Sequence, residues 1–326
     1  MSLVSIVKNK DIIKEKLNYI LNLDVNVVLS ECLEAQYEMM RENLNQKMIK
    51  KRYFNNDLQG KELLNALYQH IYSHNHIALT DEIFEALDAN TIKNEKYLKG
   101  DDTELTELLV AEELIDMFHF ILEYTILLEE HYILVLEYPE NITVDRLSYY
   151  YVHKKNSFWR GVLSMLYKES GHILHYINEN IKTDNEVDRA PNSEHSNITD
   201  YLEKLLRNNR DFIRLCNFKD WKQYPENYYS PYVFAELFRI NREMYVNCVS
   251  ALSFVFNFLI KYLNVDLQYS VENLLKLMYA VYMAKREENI RRQNSDPRYT
   301  GKSEGEVVGV EVKGWGGFKF GNKTWL

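Results

Sequence analysis

The stretch that decides the fold is VAEELIDMFHFIL, residues 110–122. Its apolar residues recur at spacings of three and four, so they share one face of an α-helix. Glu113 and Asp116 are three residues apart and therefore point to one side, next to that apolar face. A second acidic pair, Glu82 and Glu85, has the same spacing earlier in the chain. If the two helices pack together, four carboxylates meet in one place.

A group of carboxylates is the kind of ligand set that Mg²⁺ and Mn²⁺ prefer. Acidic pairs at this spacing are also common on solvated helix faces, so spacing alone leaves both interpretations open. The apolar face beside Glu113 and Asp116 favours the metal site, because an ordinary solvated face has no such neighbour.

Composition predicts a mostly α-helical fold. The 326 residues are 46% hydrophobic and include 25 Tyr but only 11 Gly and 5 Pro, a balance that favours long helices. The net charge of −9 disfavours binding to nucleic acid, whose phosphates are bound by clustered Lys and Arg. Three cysteines without CxxC spacing indicate neither a disulfide framework nor a zinc ribbon.

We expect a cytoplasmic protein that does not enter a membrane. Residues 1–10 lack the apolar run and cleavage site of a signal peptide. The most apolar stretch, residues 246–263, contains several polar side chains and is interpreted as a buried core helix.

The helical pattern predicts helices over residues 11–49, 61–72, 103–130, 157–181, 201–218, 232–262 and 270–293. A further helix, carrying Glu82 and Glu85, is predicted to begin at Thr80 as its N-cap. Residues 90–102 are predicted to form a loop, and this short connection favours antiparallel packing of the two acidic helices.

The predicted organisation has four parts. A helical core with the carboxylate site covers residues 1–185, and an insertion or mobile segment covers residues 186–231. Helices in residues 232–300 complete the core, and residues 301–326 form a tail with a short β-hairpin.

Two further sets of polar residues have helical spacing. Lys285, Asn289 and Arg292 follow at i, i+4 and i+7, and Lys and Arg in such a stripe can clamp phosphate oxygens. A solvated helix end is the alternative. Gln36 and Asn43 are seven residues apart, so they either contact the polar edge of a ligand or are surface residues.

Other common site patterns are missing from the sequence. His70 and His74 have the spacing of a helical metal pair, but no third ligand is evident, and we interpret them as surface histidines. The sequence has no GxxxxGK[ST], GxSxG or GxGxxG pattern, which disfavours a P-loop ATPase, an α/β-hydrolase and a Rossmann dehydrogenase.

Taken in order, these motifs resemble one family. The dimeric, all-α dUTPases of phages, some bacteria and trypanosomatids, which belong with the MazG-like nucleotide pyrophosphohydrolases, share an ExxE pair, an ExxD pair and a later basic helix. The corresponding residues here are Gln36, Glu82 and Glu85, Glu113 and Asp116 with His119 and Phe120, and Lys285, Asn289 and Arg292.

The resemblance implies a fold, a reaction and residue roles. It implies a helical bundle of the all-α NTP pyrophosphatase type and a homodimer that hydrolyses dUTP to dUMP and pyrophosphate. The implied cofactor is Mg²⁺, with Mn²⁺ as an alternative, held by all four carboxylates. Either Glu82 or Glu85 also orients the attacking water.

The implied substrate contacts are equally specific. Lys285 and Arg292 hold phosphates, and Asn289 bonds the nucleoside. His119 and Phe120 line the deoxyribose and base pocket. Gln36 and Asn43 contact the pyrimidine edge.

The chain also departs from the family. The Trp-bearing segment after ExxE is replaced by residues 91–97, and the run after the basic helix is replaced by residues 296–299, where Arg298 can serve as a phosphate ligand. A long insertion and the hairpin are additional differences. Two alternatives therefore stay open: a pyrophosphohydrolase for another nucleotide, such as dCTP or a modified one, and a non-catalytic binding or regulatory protein.

Overall fold

The computed structural model describes residues 5–49, 60–137, 155–181, 191–216 and 229–295. Within these ranges the regular elements are all α-helices and no strand occurs, which confirms the all-α prediction. The helices are α1 (Ser5–Lys8), α2 (Lys10–Ile20), α3 (Val25–Ile49), α4 (Gly60–Lys99), α5 (Glu104–Glu137), α6 (Lys155–Asn180), α7 (Pro191–Leu215), α8 (Pro231–Ser253), α9 (Phe256–Leu263) and α10 (Val271–Ser295). The hairpin predicted for residues 301–326 lies outside the described residues.

Helix α4 is longer than the sequence predicted. Thr80 lies inside α4 rather than at a helix start. Its hydroxyl donates to the carbonyl of His76, one turn earlier, at 2.7 Å instead of capping a helix. The buried face continues past it through Leu79, Ile83 and Ala86. A continuous apolar face thus outweighs the local capping preference of threonine.

The loop predicted for residues 90–102 is also wrong over most of its length, because α4 continues to Lys99. Asn90 is buried there, and its amide donates to the hydroxyl of Thr199 on α7 at 3.3 Å. This contact with α7 gives the end of α4 a tertiary partner that sequence patterns do not reveal.

The turn after α4 reverses the chain. Gly100 has φ +73°, a left-handed conformation that glycine adopts at little cost. Its N–H donates to the carbonyl of Tyr97 at 3.0 Å, and the N–H of Asp101 donates to that of Lys96 at 2.9 Å. These two bonds form a Schellman motif, which satisfies the last carbonyls of α4.

Helices α4 and α5 pack antiparallel, as predicted. The Nε2 atom of His131 lies 3.3 Å from Oδ1 of Asn65, while Asn75 donates to the carbonyl of Phe120 at 3.0 Å. Helix α5 is the centre of the molecule, because it also packs against α3, α6 and α8 and is buried along most of its length.

A buried asparagine fixes α7 against both acidic helices. The amide nitrogen of Asn209 lies 3.1 Å from the carbonyl of His76 and 3.1 Å from the hydroxyl of Thr80, both on α4. Its carbonyl oxygen accepts from the hydroxyl of Tyr124 on α5 at 2.8 Å. These bonds hold α4 in register with α5 close to Glu82.

The remaining helices complete one core. Helix α10 packs against α2, α3, α5 and α8, and its Lys285 contacts Asp116 on α5. The single helix predicted over residues 232–262 is two helices, α8 and α9, related by a bend of 56°. No single described helix is long and apolar enough to span a membrane, and only α8 and α9 taken together across that bend meet the length and composition of a span.

Candidate metal centre

Three of the four predicted carboxylates converge. Glu82 on α4 and Glu113 and Asp116 on α5 each offer an oxygen, and these oxygens lie within 4.8 Å of one another. All three side chains are half-buried. The antiparallel packing of α4 and α5 produces this group, because it places the ExxE turn opposite the ExxD turn.

Glu85 stands apart from that group. Its side chain is exposed, and its carboxylate is not among the three converging oxygens. Its charge nevertheless reaches Glu113, whose pKa it helps to raise. Glu85 therefore lies at the open edge of the centre, and its role as a metal ligand stays a prediction.

The convergence has an electrostatic cost. Burial, and then the charge of Asp116, raise the pKa values of both Glu82 and Glu113 above the ordinary range. A hydrogen bond joins the two glutamate carboxyls, so they favour sharing a proton. A divalent cation can take the place of that proton, because its charge opposes the same repulsion.

Lys285 reaches this centre from α10. Its ammonium contacts Oδ2 of Asp116 and lies 3.1 Å from Oε1 of Glu112 and 3.5 Å from the Glu112 carbonyl. Burial lowers the pKa of Lys285, but the two carboxylates raise it more, so the side chain stays charged. Lys285 was predicted to hold phosphates, and the structure places it directly against a predicted metal ligand.

Glu112 lies beside the centre as a partner of Lys285, and the sequence patterns did not single it out. It precedes Glu113 and is four residues before Asp116, so its place on the same helix face was visible in the sequence. Its partner comes from a distant helix, and no local pattern indicated that Lys285 would lie between these two acids.

A buried polar network lies next to the centre. Oε1 of Gln36 accepts from the hydroxyl of Tyr282 at 2.8 Å and lies 3.2 Å from Nδ1 of His119. The Gln36 amide nitrogen donates to Glu123 at 3.1 Å, and the Gln36 side chain is 0% exposed. Its polar atoms are thus already engaged inside the protein.

Within this network His119 is neutral and offers one free acceptor. Burial, with the nearby charges of Lys285 and Arg286, lowers the pKa of His119 well below its usual range. Because Gln36 presents a carbonyl to Nδ1, that nitrogen carries the proton. The other ring nitrogen, Nε2, is buried and has no hydrogen-bond partner among the described residues.

The other predicted site residues are placed less completely. Phe120 is half-buried on α5, one residue after His119. Asn43 lies on α3, and Asn289 and Arg292 lie on the last turns of α10. Arg298 lies outside the described residues.

The histidine and cysteine predictions have different outcomes. His70 and His74 contact one another, with their Nε2 atoms 3.3 Å apart, and both are half-buried rather than on the open surface. Neither belongs to a group of three metal-ligating side chains within the described ranges. All three cysteines are free and buried, which confirms that they form no disulfide framework.

Comparisons of the chain with protein-family models, with curated proteins and with solved structures found no match. The class of protein is therefore defined by what the molecule shows: an all-α fold with a group of three carboxylates that can hold a metal ion.

Proposed function

We propose that this protein is a metal-dependent nucleotide pyrophosphohydrolase, with Mg²⁺ as its cofactor and dUTP as the first candidate substrate. The observation that carries the proposal is the convergence of Glu82, Glu113 and Asp116 from an ExxE and an ExxD turn on antiparallel helices. The resemblance of the motifs supports the choice of a nucleoside triphosphate.

The donor set fits a hard divalent cation. Carboxylate oxygens are the preferred ligands of Mg²⁺ and Mn²⁺, and the centre offers neither sulfur nor imidazole among its three members. A bound ion there supplies charge neutralisation for the triphosphate and lowers the pKa of a water molecule. Without such an ion, the carboxylates would repel the substrate.

The remaining roles fall to residues of the chain. Lys285 offers a permanent positive charge to a phosphate oxygen beside the centre. Glu85, exposed at the edge and outside the converging group, is free to orient the attacking water. Arg292, Asn289 and Arg298 keep the phosphate and nucleoside roles that the resemblance implies.

The network around Gln36 suggests which atom hydrogen-bonds the nucleoside of the substrate. Because both polar ends of the Gln36 amide are engaged, we assign it to holding His119 in one tautomer. We assign the buried, unpartnered Nε2 of His119 as the acceptor for a nucleoside that reaches into this network. Phe120, beside it, would pack on the sugar.

The test is an assay of the purified chain with Mg²⁺ and a panel of dNTPs, measuring pyrophosphate release. We expect dUTP to yield dUMP and pyrophosphate. Preference for dCTP or a modified nucleotide would keep the reaction and change the substrate, whereas no pyrophosphate from any nucleotide would overturn the proposal.

A single substitution separates an enzyme from a binding protein on the same fold. Glu85→Gln is expected to abolish turnover while folding is preserved, because the side chain is exposed. Unchanged turnover would remove Glu85 from the mechanism. The resemblance further supports a homodimer, which light scattering of the purified chain tests.

A further inference from the structure

We propose that Lys285 is a built-in counter-cation that competes with the divalent metal ion for Asp116 until an anionic phosphate ligand draws its ammonium away. The inference rests on the proposed function, because it concerns how the same centre takes up its metal. Competition by Lys285 would make metal binding and phosphate binding strengthen one another.

The ammonium of Lys285 lies between two carboxylates. The Lys285 side chain is only 4% exposed, and its nitrogen contacts Oδ2 of Asp116 while Glu112 holds its other side at 3.1 Å. Asp116 is also one of the three residues whose oxygens converge. The same carboxylate is thus a partner of the lysine and a ligand for a cation.

The Lys285 ammonium and a divalent ion at Asp116 would repel one another. A divalent ion bound to Asp116 would lie only a few ångströms from the ammonium, where like charges repel strongly in a half-buried site. The centre therefore accepts either the lysine or the metal ion at full strength, but binds both together less tightly. This competition lowers metal affinity in the absence of substrate.

A bound phosphate group can draw the Lys285 ammonium away from Asp116. A lysine ends in a flexible four-carbon stem, so its ammonium can swing without a movement of α10. Phosphate oxygens bound at the metal would lie beside Asp116 and offer the ammonium a new anionic partner. Because coupling between two ligands is reciprocal, the phosphate group then strengthens metal binding and the metal strengthens phosphate binding.

The direct test measures Mn²⁺ affinity of the full chain by the electron paramagnetic resonance signal of free Mn²⁺. We expect Lys285→Met and Lys285→Gln to bind Mn²⁺ about ten-fold more tightly than the wild type when no anion is present. Equal or weaker binding by these variants, or no Mn²⁺ binding by either form, would overturn the inference.

Lys276→Met is the matched control. Lys276 lies on the same helix, its side chain is 5% exposed, and it is paired with Glu272 at 2.6 Å. Its removal takes away one buried, paired positive charge without touching the carboxylate centre. We expect its Mn²⁺ affinity to stay within about two-fold of the wild type, as for distant, independent sites; a gain equal to that of Lys285→Met would reduce the effect to net charge.

The anion arm uses inorganic pyrophosphate, with free Mn²⁺ corrected by a titration of the same mixture without protein. Pyrophosphate should tighten Mn²⁺ binding in the wild type and in Lys285→Arg, and much less in Lys285→Met. Equal tightening in all three would overturn the release step.

Folding is controlled by thermal unfolding with and without Mn²⁺. The neutral variants should be less stable than the wild type without metal and should gain more from it, because the metal replaces the missing charge. Failure to fold even in saturating Mn²⁺ would assign Lys285 to packing and overturn the inference. Since Mn²⁺ binding is measured directly, absence of dNTP hydrolysis would defeat the proposed function without affecting this result.

Discussion

Helix α5 carries a half-buried group of acids near its start and a fully buried acid, Glu130, near its end, and the two differ in what surrounds each carboxyl. Near its start, Glu113 and Asp116 converge with Glu82, and Lys285 approaches them. Near its end, Glu130 is 0% exposed and faces Tyr68, whose hydroxyl donates to it at 3.4 Å. Burial raises the pKa of Glu130 to about 8, because no cation among the described residues lies beside it to lower the pKa.

The comparison shows that burial raises the pKa of a carboxyl whether or not other carboxylates converge on it. One buried carboxyl is best accommodated as a neutral, protonated group. Three that converge can instead be neutralised by a metal ion, and their side chains are half-buried rather than fully buried. The number of acceptors around one point, together with access, separates the two ends of α5.

The largest expected effect is on turnover. Asp116→Asn should lower dNTP hydrolysis by about 10³-fold, because a bound metal supplies several kcal/mol of charge stabilisation to the transition state. Glu130→Gln, at the other end of α5, should leave turnover within about two-fold, as a neutral group replacing a neutral group far from the centre. Steady-state pyrophosphate release measures both, and similar losses in the two variants would remove the distinction.

The second effect is on stability against pH. The pKa of Glu130 is raised in the folded protein to about 8, so its folded state binds the proton more tightly and stability falls as pH rises towards 8. As the pH rises from 6.5 to 8, the free energy of unfolding of Glu130→Gln should increase by about 2 kcal/mol relative to that of the wild type. Urea unfolding at the two pH values measures the gain.

His131 gives stability the opposite dependence on pH at lower pH values. Burial lowers its pKa to about 3, so the unfolded state binds more protons below about pH 6.5 and stability there rises with pH. This trend opposes that of Glu130 in the lower range and is absent above it. A gain that is constant from pH 6.5 to 8 would contradict the assignment of a raised pKa to Glu130.

The third effect is metal-dependent stability. Mn²⁺ at ten times its dissociation constant should stabilise the wild type by about 1.4 kcal/mol, and Asp116→Asn much less. Binding should strengthen as pH rises, because the raised pKa values of Glu82 and Glu113 mean that protons compete with the metal. Isothermal titration at pH 6 and pH 8 checks the sign, and tighter binding at pH 6 would contradict it.

The smallest effect is on the stability of Glu85→Gln. The side chain is exposed, so thermal unfolding should shift by less than about 0.5 kcal/mol. A loss several times larger would show that Glu85 is structurally engaged, and the turnover of this variant would then say nothing about water activation.

The sequence predicted more of the centre than of the helices around it. Glu82, Glu113 and Asp116 were identified because i, i+3 spacing fixes which side of a helix a residue faces. Thr80 was misassigned as a cap, since the choice between capping and bonding back into a helix depends on whether the buried face continues through it. Glu112 was missed because its ion pair joins two helices that are distant in sequence.

By itself the sequence determined the all-α class and the positions of the acid pairs on their helices, because these follow from composition and helical geometry over a few residues. Only the tertiary structure decided that Glu85 stands outside the converging group, that Gln36 is used internally, and that Lys285 lies against Asp116. Those outcomes depend on helix register and on contacts between distant segments. Burial and charge then act on distances that no local pattern contains.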